Sequence, residues 1–409
     1  MAVSQRETYI GQALPRREDP RLVTGGGRYV SDMTRPRTLY MAAVRSPHAF
    51  ARITGRDASE ALQVPGVVGV FGPDELAEIR DKIPAGMPDP RVRTVMPSVV
   101  AKDVVRYVGE PVAFVVAENR YIAEDAAERV MVAYEPETPF LDPTRDDGPL
   151  LHPELGTNVV GTVGYMVGGG EAAVHSAPVT VEITLRMARV VAHPMEPRAI
   201  LAEWDSASGE LTVWVGTQGV FGYRASLAVI LDLPVERIHV ECPDAGGGFG
   251  VKNRVYPEEA AASFLARRLG RPVKWTGDRR EEFLSTNQER DQVHEAVIGL
   301  EEDGRIVGVV DRFVQDNGAY TPAGLLVPNT TAVCIPGPYR VPHMLVEGRA
   351  VVTNKVPIGP YRGAGRPQAT FVMERLLDAA ADRLKMSRVE IRRKNLITPE
   401  EMPYATGVP

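Results

Sequence analysis

Asp244-Ala245-Gly246-Gly247-Gly248-Phe249-Gly250-Val251-Lys252 is the stretch whose reading decides this chain. Before it, residues 237–242 (RIHVEC) alternate apolar and polar side chains as a strand does. After it, Pro257 opens a predicted helix with Glu258 and Glu259 in its first turn, Arg267 and Arg268 in its last, and Gly270 as a stop. Strand, glycine loop and helix in that order expose backbone N–H groups, which can hold an anion or a metal-oxo group. The same glycines also suit an ordinary tight turn, and the loop alone does not choose between the two.

Two nucleotide templates fail on spacing. The dinucleotide fingerprint, counted from Gly246, requires a third glycine where Val251 stands. The phosphate loop of nucleoside triphosphatases requires Gly-Lys-Ser/Thr where the chain has Val251-Lys252-Asn253. Another oxyanion or cofactor is expected.

Over 409 residues, 44% hydrophobic and 24% charged side chains describe an ordinary globular protein long enough for two or three cores. A net charge of −6, from 47 basic and 53 acidic residues, with no basic run interleaved with aromatics, argues against nucleic acid as a partner. The N-terminus lacks an apolar signal core, Arg16-Arg17 is followed by Glu18-Asp19 rather than an export signal, and no run approaches the roughly 20 apolar residues of a membrane span. The cytoplasm is the expected location. Cys242 and Cys334 are too few for an iron–sulfur cluster, so any cluster serving this protein belongs on another chain.

Up to about residue 140 the chain carries strand-like runs (38–46, 111–118) and a helix-like stretch, Tyr121 to Val132. A segment rich in proline and acid near 135–160 reads as a linker. Hairpin turns are expected at Ser208-Gly209 and Asp303-Gly304, and a helix over Thr370 to Lys385, whose Val372, Leu376, Ala380 and Leu384 form one apolar stripe. Strands and helices without regular βαβ spacing indicate an α+β fold.

Three more segments have chemical potential beside a structural reading. Residues 217–224 (TQGVFGYR) put Gln218 at a strand-to-helix corner, where its amide either serves a ligand or ties the turn. Residues 357–375 (PIGPYRGAGRPQATFVMER) form a second glycine corner carrying Arg362 and Arg366, suited to an oxo ligand or to pairing with carboxylates. In 193–200 (HPMEPRAI), Glu196 lies between prolines, either lining a pocket or marking an edge-strand kink. There is no Gly-x-Ser-x-Gly elbow and no His-Glu-x-x-His pair, and the 7 histidines are scattered, so His193 and His294 read as structural.

Taken in order, TQ at 217–218, DAGGGFGVK at 244–252 and YRGAGRPQ at 361–368 resemble the molybdenum-binding large subunit of the xanthine dehydrogenase, aldehyde oxidase and aerobic carbon monoxide dehydrogenase family. Upstream, GGGRYVSDM (25–33), RSPHAFARI (45–53), VPGVVGVF (64–71) and residues 108–136 are similar to that family's α/β hammerhead domain, and 265–283 extend the resemblance along nearly the whole chain. The resemblance implies a hammerhead domain over 1–140 (about 20–138), a linker over 141–160, and a first molybdopterin-binding domain over 161–409, with the second such domain absent.

By the same resemblance, the cofactor is a molybdopterin, in bacteria commonly the cytosine dinucleotide. Gln218 would donate to an oxo ligand. Gly247, Gly248, Phe249 and Gly250 would meet the metal and pterin end, and Arg362, Gly363 and Ala364 would supply a third contact. Gln218, Phe249 and Arg362 would thus touch the ligands of molybdenum, while Asn253 and Ala364 would face the substrate. The implied chemistry is hydroxylation of an aldehyde or N-heterocycle with water as the oxygen source, with electrons leaving through iron–sulfur clusters on a small subunit and FAD on a medium subunit. Carbon monoxide enzymes of the family carry cysteine where Gly363 stands, and purine oxidisers carry glutamate and phenylalanine where Asn253 and Ala364 stand, so neither substrate class is expected. The family's general base lies in a C-terminal half that this sequence does not contain. The chain is therefore expected to hold no catalytic base, to be incomplete alone and to expose an apolar face toward that half. The competing expectation is a non-catalytic scaffold that binds the partner subunits.

Overall fold

A computed structural model describes residues 8–79, 83–85 and 89–408. Met1–Glu7, part of the N-terminus read above for an export signal, and Pro409 lie outside the described residues. Strands β1 (Leu39–Arg45), β2 (Ala51–Asp57), β3 (Val67–Phe71), β4 (Val104–Val105), β5 (Pro111–Ala117) and β6 (Met131–Pro136) come first. They are followed by β7 (Val159–Val167), β8 (Val179–Val191), β9 (Ala199–Asp205), β10 (Glu210–Val215), β11 (Ile238–Glu241) and β12 (Val273–Thr276). The last are β13 (Gln288–Leu300), β14 (Ile306–Gly318) and β15 (His343–Val352).

A mixed sheet in the order β11-β10-β9-β12-β1-β5-β3 forms the centre of the molecule. Leu39 of β1 lies opposite Val273 of β12, so strands from the first 120 residues and from 199–276 share one hydrogen-bonded surface. All seven residues of β5 are buried, which explains its unbroken apolar run: a central strand covered on both faces needs no polar alternation. A second sheet, β7-β15-β14-β13-β8, packs beneath the Leu326–Cys334 and Arg366–Leu384 helices, and β4-β2-β6 makes a small third sheet. Within the 141–160 stretch, Leu151 and His152 are buried, and the His152 ring sits 2.8 Å from the Ala319 carbonyl.

Both hairpins form where expected, β9 to β10 and β13 to β14. The helix after the glycine loop spans Pro257–Leu269 and ends at Gly270 in the left-handed conformation. The helix expected over Tyr121 to Val132 is shorter, Arg120–Ala127. Met131 and Val132 instead enter β6 because β2 offers them backbone partners, with Asp57 opposite Met131. The C-terminal helix starts earlier than expected, at Arg366, with Pro367 in its first turn.

Beneath the glycine loop lies a buried ionic cluster. Arg198, 1% exposed, donates to Glu258 Oε2 at 3.1 Å, Thr286 Oγ1 at 3.0 Å and Ser285 Oγ at 2.9 Å. Its guanidinium also lies 3.3 Å from Glu282 and over the Tyr256 ring. Arg45 bridges Glu258 and Glu281. Burial works against the charge on Glu258, but Arg198 and Arg45 outweigh it and hold its carboxyl down at about 2.

Its neighbour Glu259 behaves in the opposite way. Burial pushes its carboxyl up to about 7, despite Arg198 and hydrogen bonds from the Tyr256 N–H and the Tyr223 hydroxyl. A folded value above the unfolded one, about 4.3, means that folding favours the protonated form. The neutral carboxyl costs nothing below the unfolded value. As pH rises from about 4.5 to 7 the stability contribution is lost, on the order of 3 kcal/mol, and the loss is then constant. Glu259→Gln is neutral throughout, so urea titrations from pH 4.5 to 7.5 are expected to lack this part of the slope and to favour the variant at pH 7.5. An unchanged slope would contradict a protonated Glu259.

Candidate cofactor site

Three strand-to-helix corners meet at one edge of the central sheet. The first is Thr217-Gln218, between β10 and the Val220–Leu231 helix. The second is the glycine loop, between β11 and the Pro257–Leu269 helix, and the third is 360–365, between β15 and the Arg366–Leu384 helix.

Hydrogen bonds lock these corners together. Gln218 Oε1 accepts from the Gly250 N–H at 2.7 Å and from the Lys252 N–H at 3.3 Å, while the Gln218 N–H donates to the Lys252 carbonyl at 2.7 Å. The Arg362 N–H donates to the Phe249 carbonyl at 2.9 Å. With its oxygen engaged by two amides, the Gln218 side chain keeps its NH2 group free of partners among the described residues, so the amide presents a donor outward. The residue therefore ties the turn, one of the two readings made from the sequence, and leaves a donor open for the other.

Close approach explains the glycines. A Cβ on Gly250, whose φ is +107°, would lie 2.1 Å from the Pro360 carbonyl oxygen, and one on Gly248 would lie 2.6 Å from Gln218 Oε1. Phe249 and Ala364 adopt positive φ of 54° and 44°, a left-handed geometry uncommon outside glycine, which turns successive amides to one side. The N–H groups of Gly247, Gly248, Phe249 and Gly363 have no acceptor among the described residues. The carbonyls of Gly246, Gly248, Phe249, Tyr361 and Arg362 are each engaged from within the protein. Free donors beside engaged carbonyls suit an anion, and at Gly247, Gly248 and Gly363 there is no Cβ to obstruct one.

Side chains behind the loop hold it in place. Glu196 Oε2 accepts from the Gly246 N–H and from the buried Lys252 ammonium, both at 2.8 Å. Glu196 is thus a clasp for the loop. Asp244 accepts from Arg21 and from the Arg28 N–H, and these bonds, Arg21 first, hold its carboxyl down at about 2. The N-terminal segment is thereby pinned to the start of the glycine loop.

Gln218, Gly247, Gly248, Phe249, Gly250, Arg362, Gly363 and Ala364 are brought to the three meeting corners. Asn253 lies just beyond the loop with its side chain exposed, and makes no hydrogen bond to the corners among the described residues. Exposed apolar side chains flank them: Met195 before the clasp, Phe221 at the start of the helix after Gln218, Phe249 itself, and Phe283, stacked edge-on against His193. His294 is fully buried against Asp311 and Gln292, in keeping with a structural role. Sequence reading did not identify Arg290, which donates to the Tyr361 and Arg362 carbonyls. Its only sequence signal is a polar QERDQ run opening a strand.

Residues 151–396 match the family model of the molybdopterin cofactor-binding domain, and 24–138 match the a/b hammerhead domain of aldehyde oxidase and xanthine dehydrogenase. Subunit gamma of the 6-hydroxypseudooxynicotine dehydrogenase complex of Paenarthrobacter nicotinovorans is 38% identical over 98% of this chain and 51% of its own length. The nicotine 6-hydroxylase large subunit of the same organism is 37% identical over 97% and 49%. Quinoline 2-oxidoreductase from Pseudomonas putida 86 superposes with a TM-score of 0.94 at 36% identity, covering 98% of this chain and 52% of that one. The chain spans about half the length of the curated relatives it matches. Two family domains in order, carrying three interlocked corners with outward-facing donors, place this chain in the xanthine dehydrogenase, aldehyde oxidase and carbon monoxide dehydrogenase family of molybdopterin-dependent large subunits.

Proposed function

We propose that the chain forms the molybdopterin-binding first part of a hydroxylase that oxidises an N-heterocycle or an aldehyde with water as the oxygen source. The observation that carries this reading is the convergence of Gln218, the glycine loop and the Arg362 corner through the Gly250-to-Gln218 and Arg362-to-Phe249 hydrogen bonds, with free donors left on one side. When bound, the cofactor supplies a two-electron oxidation of a carbon centre coupled to water. The chain's own part is to hold and orient it. The Gln218 NH2 would donate to the metal end of the cofactor, the amides of Gly247, Gly248, Phe249 and Gly363 would hold its metal and pterin end, and Arg362 would add positive charge. Asn253 and Ala364 face the substrate in this reading.

Nicotine and quinoline, named in two of the relatives, are N-heterocycles, and this favours that class over aldehydes. The cytosine dinucleotide is the proposed form of the pterin. The proposed partners are a C-terminal half carrying the general base, an iron–sulfur small subunit and an FAD medium subunit. The apolar side chains Met195, Phe221 and Phe283 beside the corners support a covering polypeptide there. The division into a hammerhead unit over 1–140, a connector over 141–160 and a cofactor-binding unit over 161–409 belongs to the same reading. Among the described residues no helix is long and apolar enough to cross a membrane, and the cytoplasm is the proposed compartment.

The test is turnover of quinoline, nicotine and benzaldehyde in 18O-enriched water by the assembly purified from its own host, with an artificial electron acceptor. The expected result is a singly labelled hydroxylated heterocycle. Oxygen derived from O2, or no oxidation of any of the three, would overturn the reading.

A further inference from the structure

Arg290 sits at the start of β13, directly beneath the third corner, with φ +75°, a conformation that side-chain-bearing residues rarely adopt. Its guanidinium donates through Nη1 to the Tyr361 carbonyl at 3.3 Å and through Nη2 to the Arg362 carbonyl at 2.8 Å, and lies 4.8 Å from the centre of the Tyr361 ring. The same Nη1 also pairs with Oε2 of Glu289, which is fully buried and whose second oxygen, Oε1, accepts from Gln368 Nε2 in the first turn of the Arg366–Leu384 helix. One cation therefore spans two consecutive carbonyls of the corner, and its carboxylate partner is tied to the helix that the corner feeds.

The geometric consequence concerns which way the corner's peptide groups point. A peptide plane whose carbonyl is held inward must turn its N–H outward, because the two are antiparallel across the same bond. Fixing the Tyr361 carbonyl directs the Arg362 N–H to its bond with the Phe249 carbonyl, and fixing the Arg362 carbonyl directs the Gly363 N–H away from the protein. Without the cation, the Arg362 carbonyl has no other donor among the described residues and would be free to turn toward an anionic ligand and repel it, while the Tyr361 carbonyl would keep only the Ala364 N–H, at 2.8 Å. Lysine cannot replace the planar fork at both carbonyls.

We propose that Arg290, anchored by buried Glu289, is a positioning residue that keeps the Tyr361 and Arg362 carbonyls turned away from the cofactor, so that the third corner presents only donors to it. The inference rests on the cofactor-binding reading of the three corners and names a further residue for it. It touches neither cofactor nor substrate. Arg290 acts through the backbone.

The test compares wild type, Arg290→Lys, Arg290→Gln and the double variant Glu289→Gln/Arg290→Gln, each purified as the assembly the protein forms. Molybdenum and pterin per chain are followed during dialysis, and thermal melting is measured in parallel. The double variant removes the buried carboxylate that Arg290→Gln alone would strand, so at least one folded variant lacks the fork. The expected result is loss of cofactor between about 10-fold and 100-fold faster in the folded glutamine variants, with Arg290→Lys between them and wild type. Cofactor retention equal to wild type in a folded glutamine variant, or loss of cofactor only in step with loss of folding, would overturn it. A wild type that never holds molybdenum would instead remove the cofactor-binding reading itself, and this inference with it.

Discussion

Arg198→Met is expected to destabilise the chain by about 3–5 kcal/mol, because it strands charge rather than merely removing a bond. Glu258 and Glu282 are 1% and 0% exposed at their side chains, and Arg198 is the cation shared between them. Arg45 still reaches Glu258, but among the described residues Glu282 keeps only the backbone N–H of residue 198, at 3.1 Å, and so bears most of the penalty. Methionine fills similar volume between Tyr256 and Trp275, which separates lost charge compensation from a lost packing contact. Arg312→Met is the natural control: Arg312 also pairs with two carboxylates, Glu171 and Glu347, but at 43% side-chain exposure, where such pairs contribute less than about 1 kcal/mol. The check is the urea midpoint at constant slope, with a large shift for the first variant and almost none for the second. The acid arm is also expected to change. Glu258, at about 2 when folded, contributes stability that is present above its unfolded value and lost as pH falls toward 2, and that loss should shrink without Arg198.

The second large effect is at Gly250. Gly250→Ala places a methyl group 2.1 Å from the Pro360 carbonyl oxygen and 3.3 Å from the Tyr361 Cα, all backbone that cannot swing aside as a side chain would. At φ +107° alanine is also strained, at a cost on the order of 1–3 kcal/mol. The glycine loop and the third corner must then part, breaking the Arg362-to-Phe249 and Gly250-to-Gln218 bonds together. Cofactor content is expected to fall at least about tenfold, the equivalent of 1.4 kcal/mol in binding. Gly219→Ala, one residue from Gln218 but with extended backbone and nothing within 4 Å of the added carbon, is expected to keep both stability and cofactor.

Local signals made much of the fold legible. The Pro257–Leu269 helix has proline at its first position, acids in the first turn and glycine at its end, and these are properties of neighbouring residues that need no tertiary information. The two hairpins are legible for the same reason. The Tyr121 to Val132 expectation overran because Met131 and Val132 suit either a helix or a strand, and the decision came from β2, more than 70 residues upstream.

The candidate site divides along similar lines. Glycine corners and Gln218 are visible as composition at strand-to-helix boundaries. Glu196 is visible between its prolines but its bond to the loop is not, and Arg290 has no local pattern to announce it, since each acts on a backbone group far along the chain, 50 and 72 residues away. What the sequence could not supply was the direction of each peptide group. That direction determines which donors remain free at the meeting corners.

The central claim is that these corners hold a molybdopterin, and the most direct measurement is the molybdenum and pterin content of the protein purified from its own host in the assembly it forms. Near one molybdenum and one pterin per chain, with both lost together in Gly250→Ala and both retained in Gly219→Ala, is the result this account predicts. A wild-type assembly that is folded and complete but carries neither molybdenum nor pterin would contradict it, and would leave the chain as a scaffold for its partner subunits.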